Sequence, residues 1–437
     1  MSKNILKNIL FLLNVGFIFG TEYLSYCVFN DYSFFIDRLT RRLASINILY
    51  VKLFQAFALN NRLIDDTMNA KLLTFTDNAP WNYSDISLKQ LTDVAEKFDL
   101  HLGRGYEIPI NSGMISLVFK CSQKTNLTKR VIIKMKRKNI QEKLDNAIDN
   151  IIFMMYILSF IPIINKYQLS EVITKNIEII RHQTNFLEEI DNMNRIRENC
   201  KNLKYVKIPN AIREVTEEFP DIILMEYIDG IKINQIKEED YDGFAKLVVK
   251  FGLVTTIIHG VAHGDLHSGN ILFIKDDLDK KYPYKIGVID FGIIYSVDSN
   301  YKEMLFEIFT QLFDMPALES AKKLLNSGMI DPPGILKQIP KTDYDSILKF
   351  TSNIIFETIH EDKRANQTQI YKFLSTFKEY LCKKELANLG IRPSDDFIKS
   401  QLVLTMTHGV TLTLCKGDFV TMMDKCTNEL FHTQLLL

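Results

Sequence analysis

The chain opens with an apolar stretch. A run from Ile9 to Gly20 follows Lys3 and Lys7, and weaker hydrophobicity, interrupted by Glu22, continues beyond it. About 20 apolar residues are typical of a transmembrane helix and about 10 to 14 of a core or interfacial helix; this stretch lies between. No small-x-small cleavage site follows, which disfavours a signal peptide. Residues 5–29 therefore form either a membrane-anchoring or interfacial helix or a buried one.

Helical spacing of apolar residues continues to about Asn69, at Leu49, Leu53, Phe57 and Leu63. The sequence DNAP at residues 77–80 then interrupts this pattern, as loops do. We therefore predict a helical N-terminal region that ends near this loop.

The pattern becomes that of strands after Ile108. Two apolar, β-branched runs, residues 114–119 and 131–135, flank a polar turn and predict a β-hairpin. Asn139, with Glu142 three residues later, resembles a capping box and predicts the start of a helix.

A second helix is predicted from about Ser170, with one stripe formed by Ile173, Ile177, Ile180, Thr184 and Leu187. A strand from Ile222 to Tyr227 precedes Gly230, and residues 244–258 then show helical spacing. This helix leads into the loop HGDLHSGN, residues 263–270.

Two short apolar runs after that loop, residues 271–274 and 286–289, predict a second strand pair, and the second run ends at Asp290. Everything after about Ser299 has a helical pattern.

Composition sets only broad limits. The 437 residues are 46% apolar, which is ample for a large core. Lys plus Arg and Asp plus Glu both number 53, so no global field attracts nucleic acid or anionic lipid. The six cysteines form no CxxC pair, which disfavours a disulfide framework or zinc knuckle and favours a reducing, intracellular compartment.

The chemistry is concentrated in HGDLHSGN and in the IDFG that follows it. Phosphoryl transfer needs a carboxylate near the attacking hydroxyl, a second carboxylate on the metal and an amide oxygen for another metal position. Asp265, Asp290 and Asn270 supply these in that order. A metal site on His263 and His267 is disfavoured, because their spacing would face one way only on a helix and this segment is a glycine-rich loop.

Upstream, Lys134 ends the strand VIIK, where kinases place the lysine that holds the α- and β-phosphates. Glu189, or failing that Glu188, on the helix predicted from Ser170, could orient this lysine. Glu226 and Tyr227 end a strand at the expected lobe hinge, where backbone groups would hold the adenine.

The order of these motifs is similar to that of the UbiB/AarF-type (ADCK) atypical kinases. The resemblance covers roughly residues 50 to 300 and rests on KLFQ (52–55), DNAP (77–80), PINSGMISLVFK (109–120), VIIKMKR (131–137), NFLEEIDN (185–192), IPNAI (208–212), LMEYIDG (224–230), HGDLHSGN (263–270) and DFG (290–292).

The resemblance implies further site residues. The Lys and Gln of the family's KxGQ motif, on a helical extension folded over the nucleotide pocket, fall on Lys52 and Gln55. The sequence NSGM replaces an Ala-rich nucleotide loop, so Ser112 and Gly113 are implied in nucleotide binding. The family's HxDxHxGN is complete, which places His263 among the catalytic residues.

Two other positions depart from the family pattern. Phe54 stands where KxGQ has glycine, and Asn185 stands where an acidic residue is usual. Both bear on the contacts of the extension.

Other kinase-like classes remain as alternatives. The catalytic loop alone does not separate this family from aminoglycoside or choline phosphotransferases, but KLFQ favours the UbiB/AarF type. Ser/Thr kinases are disfavoured, because Gly264 occupies the usual Arg position and His267 the usual Lys position. A pseudokinase scaffold is the non-enzymatic alternative, disfavoured by the retained lysine, asparagine and two aspartates.

We therefore predict an α+β, protein-kinase-like two-lobed fold with a small β-containing nucleotide lobe, a large helical lobe and an N-terminal helical extension. The predicted parts are an apolar segment (1–30), an extension (31–105), an N-lobe with inserted helices (106–230) and a helical C-lobe (231–437). The predicted function is binding of ATP with Mg²⁺ or Mn²⁺, with ATPase or phosphotransferase activity. The resemblance implies isoprenoid-lipid or quinone metabolism at a membrane surface; no nucleic-acid partner is expected.

Overall fold

A computed structural model gives the fold. It describes residues 2–47, 49–51, 79–158, 160, 177, 180–360, 367–415, 422, 425–427 and 429–430. The chain divides into two compact units: unit 1 is Met1–Ile190 with Asn210–Tyr227, and unit 2 is Asp191–Pro209 with Ile228–Leu437. The extension motif residues Lys52, Phe54 and Gln55 lie outside the described residues.

The α-helices that begin in the described part of unit 1 are α1 (Ser2–Phe29), α2 (Tyr32–Ile46), α3 (Leu88–Lys97), α4 (Ile140–Leu158), α5 (Phe186–Asn199) and α6 (Arg213–Glu218). Asp31 caps α2, because its side chain accepts a hydrogen bond from the Phe34 N–H at 2.9 Å. Apolar side chains of α1, α2 and α4 share one core cluster, which includes Phe11, Ile18, Phe35, Leu39, Leu144 and Ile148.

Unit 1 also contains an antiparallel sheet. Its strands are β1 (Leu100–His101), β2 (Asn111–Ser112), β3 (Ser116–Gln123), β4 (Asn126–Lys136), β6 (Ala211–Ile212) and β7 (Ile222–Glu226). The order is β1-β3-β4-β7-β6, with β2 paired to β3. The predicted hairpin is confirmed as β3 and β4, in which Val118 lies opposite Lys134.

The side chains of β4 alternate between a face that packs into the core and the opposite face of the sheet, which carries Lys134. Val131, Ile133 and Met135 are buried in one cluster with side chains of α3 such as Leu91. Because successive strand residues point to opposite faces, Lys134 points away from that cluster. The strand therefore provides a rigid base for this lysine.

The predicted helix that carries Glu189 differs from the structure. Its predicted start near Ser170 lies outside the described residues, but residues 183–185 interrupt the helix before Glu189, which lies on α5, starting at Phe186. Helix α4 starts as predicted, but Asn139 has φ 58°, which is left-handed rather than the extended geometry typical of a capping residue.

Unit 2 holds the remaining described elements: β5 (Val206–Lys207), α7 (Tyr241–Leu253), β8 (Val261–His263), β9 (Ile271–Lys275), β10 (Tyr284–Val288), β11 (Ile294–Ser296), α8 (Ser299–Thr310), α9 (Ala317–Leu325), β12 (Ile330–Asp331), α10 (Lys341–Ile355), α11 (Gln367–Leu381), α12 (Lys384–Asn388), β13 (Arg392–Pro393) and α13 (Asp395–Leu414). Strands β9 and β10 form the predicted second strand pair, and β5 adds to β10 in parallel. Strand β8 pairs with β11, and β12 with β13.

The helical pattern that ends near Ile258 conceals a change of helix type. After α7, residues 254–258 form a π-helical turn, in which the His259 N–H donates to the Val254 carbonyl at 2.9 Å. This turn leads directly into β8 and so into the catalytic-type loop. Such π-turns recur at functional sites.

Candidate functional site

Lys134 and Glu189 form a buried ion pair in unit 1. The Lys134 Nζ lies 2.5 Å from the Glu189 Oε1, and their side chains are only 7% and 2% exposed. Phe186, the first residue of α5, lies with its ring centroid 5.6 Å from the same ammonium. The fold thus holds this lysine in one orientation.

Glu188, the alternative partner, points elsewhere. It is 40% exposed and lies 3.1 Å from the His182 Nδ1. Its backbone N–H donates to the Asn185 side chain at 3.3 Å, so Asn185 acts as the N-cap of α5. An N-x-x-E pattern at the start of an apolar-periodic segment could have revealed this helix start from the sequence.

Arg137, just after β4, joins the nucleotide-type loop to an upstream segment. Its guanidinium is buried and donates to the Gly113 carbonyl at 2.8 Å, to the carbonyls of residues 79 and 80, and to the Asp85 carboxylate at 2.8 Å. Burial alone would raise the pKa of Asp85. The hydrogen bond from Lys143 and the charge of Arg137 outweigh it and hold that pKa below its usual value.

Ser112 belongs to the same network. It is 5% exposed; its hydroxyl donates to the Ala79 carbonyl at 2.7 Å and accepts from Arg137 at 2.8 Å. The Gly113 N–H donates to the Ser116 carbonyl at 2.9 Å. These bonds satisfy the Ser112 side chain within unit 1, while the nucleotide-binding roles of Ser112 and Gly113 stay predictions.

Glu226 and Tyr227, the residues predicted at the lobe hinge, lie at the end of β7 and directly after it. The Glu226 N–H donates to the Asn210 carbonyl at 2.9 Å. The Tyr227 ring carries the Lys120 ammonium 4.2 Å from its centroid, within cation–π range. Their predicted contact with adenine stays a prediction.

His263, in unit 2, links the two candidate catalytic segments. It is 1% exposed. Its Nε2–H donates to the Asp290 carbonyl at 2.6 Å, and its Nδ1 accepts from the Asp265 N–H at 3.2 Å. Burial lowers the pKa of His263, which favours the neutral ring that this bonding requires. Both ring nitrogens are thus engaged with backbone groups of unit 2, while the catalytic role of His263 stays a prediction.

Asn270 is oriented by the same loop. Its Nδ2 donates to the Asp265 carbonyl at 3.0 Å, and its own carbonyl accepts from the Ile289 N–H at 3.0 Å. The His267 Nδ1 accepts from the Gly269 N–H at 3.1 Å, and its Nε2 lies 3.2 Å from the Asn270 Nδ2. That Nε2 lies 3.8 Å from the Asp265 Oδ1.

Asp290 adopts a left-handed backbone conformation, with φ 66°. Such a conformation is costly for a residue with a side chain and is concentrated at functional sites. The Asp290 Oδ1 accepts from the Gly292 N–H at 3.1 Å. The fully buried Phe291 anchors this segment: its ring contacts His263 edge-on at 5.4 Å, and its carbonyl accepts from the Asn192 Nδ2 at 3.1 Å.

Gly264 is required where other kinases have arginine. A Cβ at this position would lie 2.4 Å from the Ile293 Cγ2 and 2.8 Å from the Tyr295 ring. Any side chain here would therefore have to displace the side chains of Ile293 and Tyr295.

The structure thus pairs Lys134 with Glu189 in unit 1. In unit 2, it brings Asp265, Asn270 and Asp290 together around His263. Residues 82–323 match the ABC1 atypical kinase-like domain. The chain belongs to the ABC1 atypical kinase-like family. The α+β, kinase-like fold class and the resemblance to UbiB/AarF-type kinases are confirmed by this match.

Two curated relatives of this ABC1 kinase-like chain illustrate the match. The chloroplastic protein ACTIVITY OF BC1 COMPLEX KINASE 8 of Arabidopsis thaliana is 24% identical over 301 residues, 67% of this chain and 37% of that protein. "Probable protein kinase UbiB" of Shewanella oneidensis is 25% identical over 306 residues, 67% of this chain and 54% of that protein. The chain thus matches about half or less of these relatives.

Solved structures are more distant. Rv3197 of Mycobacterium tuberculosis, in complex with erythromycin, aligns with a TM-score of 0.48 at 14% identity, over 86% of this chain and 90% of that one. The Rio2 kinase of Chaetomium thermophilum, in its ADP/Mg²⁺-phosphoaspartate complex, gives 0.27 at 13% identity, over 78% and 99%. The kinase-like fold of this chain follows instead from the family match and its own elements.

Three residues of this ABC1 kinase-like chain escaped the sequence reasoning: Arg137, Asn192 and Tyr295. Burial, with the charge of Asp265 nearby, raises the pKa of Tyr295 to about 12, so its hydroxyl stays protonated. No local pattern marks these residues, because each acts through contacts set by the pairing of distant segments.

Proposed function

We propose that this chain binds ATP with Mg²⁺ or Mn²⁺ and acts as an atypical ATPase or phosphotransferase. The observation that carries the proposal is the hydrogen-bonded group around His263. It fixes the backbones of Asp265 and Asp290 and orients Asn270 in the same unit. The buried Lys134–Glu189 pair supports it independently.

The donor set fits a hard cation. The Asn270 Nδ2 is committed to the Asp265 carbonyl, which leaves Oδ1 as the side-chain atom for a cation. A carboxylate oxygen of Asp290 and this carboxamide oxygen are the kinds of ligand that Mg²⁺ prefers. Asp290 and Asn270 are therefore the residues that would hold the metal.

When bound, Mg·ATP supplies the transferable phosphoryl group and a cation that offsets its charge. The Asp265 carboxylate would accept the proton of the attacking hydroxyl or water. Glu189 would keep the Lys134 ammonium oriented toward the α- and β-phosphates. The resemblance suggests an isoprenoid-lipid or quinone acceptor, with a small molecule of the aminoglycoside or choline class as the alternative.

The test compares two aspartates by thermal melt and by phosphate release. A ligand at about 100 times its dissociation constant adds about 2.7 kcal/mol to the folded state, so Mg·ADP should raise the melting temperature clearly. Asp290→Asn should abolish the magnesium-dependent part of this shift. Asp265→Asn should keep the shift but slow turnover, because a base contributes little to ground-state affinity.

Asp277→Asn, on an exposed turn, is the matched control and should change neither quantity. If millimolar nucleotide gives no shift in the wild-type protein with Mg²⁺ or Mn²⁺, the chain is a scaffold instead. If nucleotide does stabilise the wild-type protein, turnover measured with and without candidate lipids or aminoglycosides separates the acceptor classes.

A further inference from the structure

Helix α1 has two distinct apolar sides. One stripe, which includes Phe11, Ile18 and Glu22, is buried within unit 1. The opposite stripe is exposed at helical intervals: Leu6, Leu10, Leu13, Phe17, Leu24 and Val28 are each 57–76% exposed. An exposed apolar surface of this extent is typical of an interaction site.

By length and composition alone, α1 could cross a membrane. Leu6–Phe29 is 24 residues long with a mean hydropathy of 1.4, and it is the one such helix in the described part of the chain. The buried side of α1, however, argues against a membrane-spanning orientation. Glu22 is fully buried, with the guanidinium groups of Arg38 and Arg42 of α2 each 2.7 Å from its carboxylate.

Helix α2 therefore has to accompany α1. It also exposes Asp37 and Arg41, whose side chains are 53% and 70% accessible. If α1 crossed the bilayer, the Glu22 ion pairs and these exposed charges would have to enter the hydrocarbon layer or the pairs would have to break. Charged side chains are costly in hydrocarbon.

We propose that α1 lies in the plane of a membrane, with its exposed stripe in one leaflet and α2 on the aqueous side. An apolar helix face beside charged groups is the arrangement of interfacial, monotopic helices. In residues 2–47, Lys and Arg outnumber Asp and Glu by five to three, which favours a leaflet with anionic headgroups. This proposal does not depend on nucleotide binding.

The first test is co-flotation of the full chain with vesicles of phosphatidylcholine, with or without phosphatidylglycerol. The wild-type protein should float, more strongly on the anionic vesicles. Leu13→Ser and Leu24→Ser should each weaken binding by about tenfold, because each withdraws an apolar side chain from lipid. Leu278→Ser, which changes a leucine 94% exposed in unit 2, is the control and should leave binding unchanged. Failure of the full chain to float, or full binding by the double variant Leu13→Ser/Leu24→Ser, would overturn the proposal.

The second test separates an in-plane helix from a spanning one. Lys7 and Cys27 are both exposed and 20 residues apart, about 30 Å along a helix, close to the thickness of the hydrocarbon core. With Cys382 and Cys415 changed to serine, a membrane-impermeant maleimide is applied to sealed inside-out vesicles of the expression host. Native Cys27 and a Lys7→Cys variant should both be labelled. Labelling of either position only after detergent would mean that α1 spans the membrane.

Discussion

Replacing Lys134 by methionine removes one half of an ion pair that lies almost wholly inside unit 1. Glu189 is then left as a carboxylate only 2% exposed, without the ammonium that lies 2.5 Å away. Breaking a buried pair in this way costs about 3–5 kcal/mol. We expect a loss of unfolding free energy of this size in urea titrations of Lys134→Met, and a similar loss for Glu189→Leu.

The double variant Lys134→Met/Glu189→Leu should behave oppositely. Replacing both partners by apolar side chains of similar volume removes the desolvation cost together with the attraction, and such replacements are neutral or stabilising by about 1–4 kcal/mol. Urea unfolding of the four proteins in the cycle measures this directly. Lys97→Met is the control, since Lys97 and its partner Glu218 are 51% and 44% exposed and the loss of such a surface pair should cost about 0–1 kcal/mol.

The same double variant tests what the pair is for. If it holds the phosphates, the folded double variant should lose the stabilisation by Mg·ATP that the wild type shows. A double variant as unstable as the single ones would refute the energetic reasoning. A stable double variant that is still fully stabilised by Mg·ATP would refute the proposed role of the pair in holding the phosphates.

Three further predictions follow from buried contacts. Gly264→Ala should cost about 1–3 kcal/mol by overpacking, and Ile293→Ala in the same chain should recover part of it, as measured by urea unfolding. Because burial lowers the pKa of His263 from 6.5, the unfolded chain binds an extra proton below about pH 6.5. As the pH drops from about 7.5 to 5.5, the unfolding free energy of the wild type should therefore fall more steeply than that of His263→Gln. The difference between the two slopes should reach at most about 1.4 kcal/mol per pH unit, and parallel curves would contradict this prediction. Arg137→Met should cost about 3–5 kcal/mol by leaving Asp85 and three carbonyls without the guanidinium, and Arg137→Lys should recover only part because an ammonium has three donors.

The sequence was sufficient wherever a local pattern carries the information. Two apolar, β-branched runs identified β3 and β4, and the lysine at the end of VIIK was placed correctly on β4. The contact of Lys134 with Glu189 was also anticipated, although Glu189 lies on a shorter helix than expected. Motif spacing fixed the order of Asp265 and Asp290 along the chain.

What the sequence could not provide depends on contacts between distant segments. The bonding of His263 is visible only once β8 and β11 pair, because its ring then bonds the backbone of Asp290, 27 residues further along the chain. The left-handed conformation of Asp290 could not be predicted from the sequence either, since aspartate occurs in every backbone region. The requirement for Gly264 follows from the side chains of Ile293 and Tyr295 and not from its own neighbours in the sequence.

The departure of the NSGM loop from the family's Ala-rich loop has a physical explanation in the same terms. The Ser112 hydroxyl both donates to the Ala79 carbonyl and accepts from Arg137, and an alanine could do neither. An Ala-rich loop beside this arginine would therefore lose one of the acceptors around the buried guanidinium, whose Nη2 also donates to the carbonyls of Ala79 and Gly113. The loop sequence and Arg137 therefore form one hydrogen-bonded unit, in which Ser112 supplies an acceptor to the buried arginine.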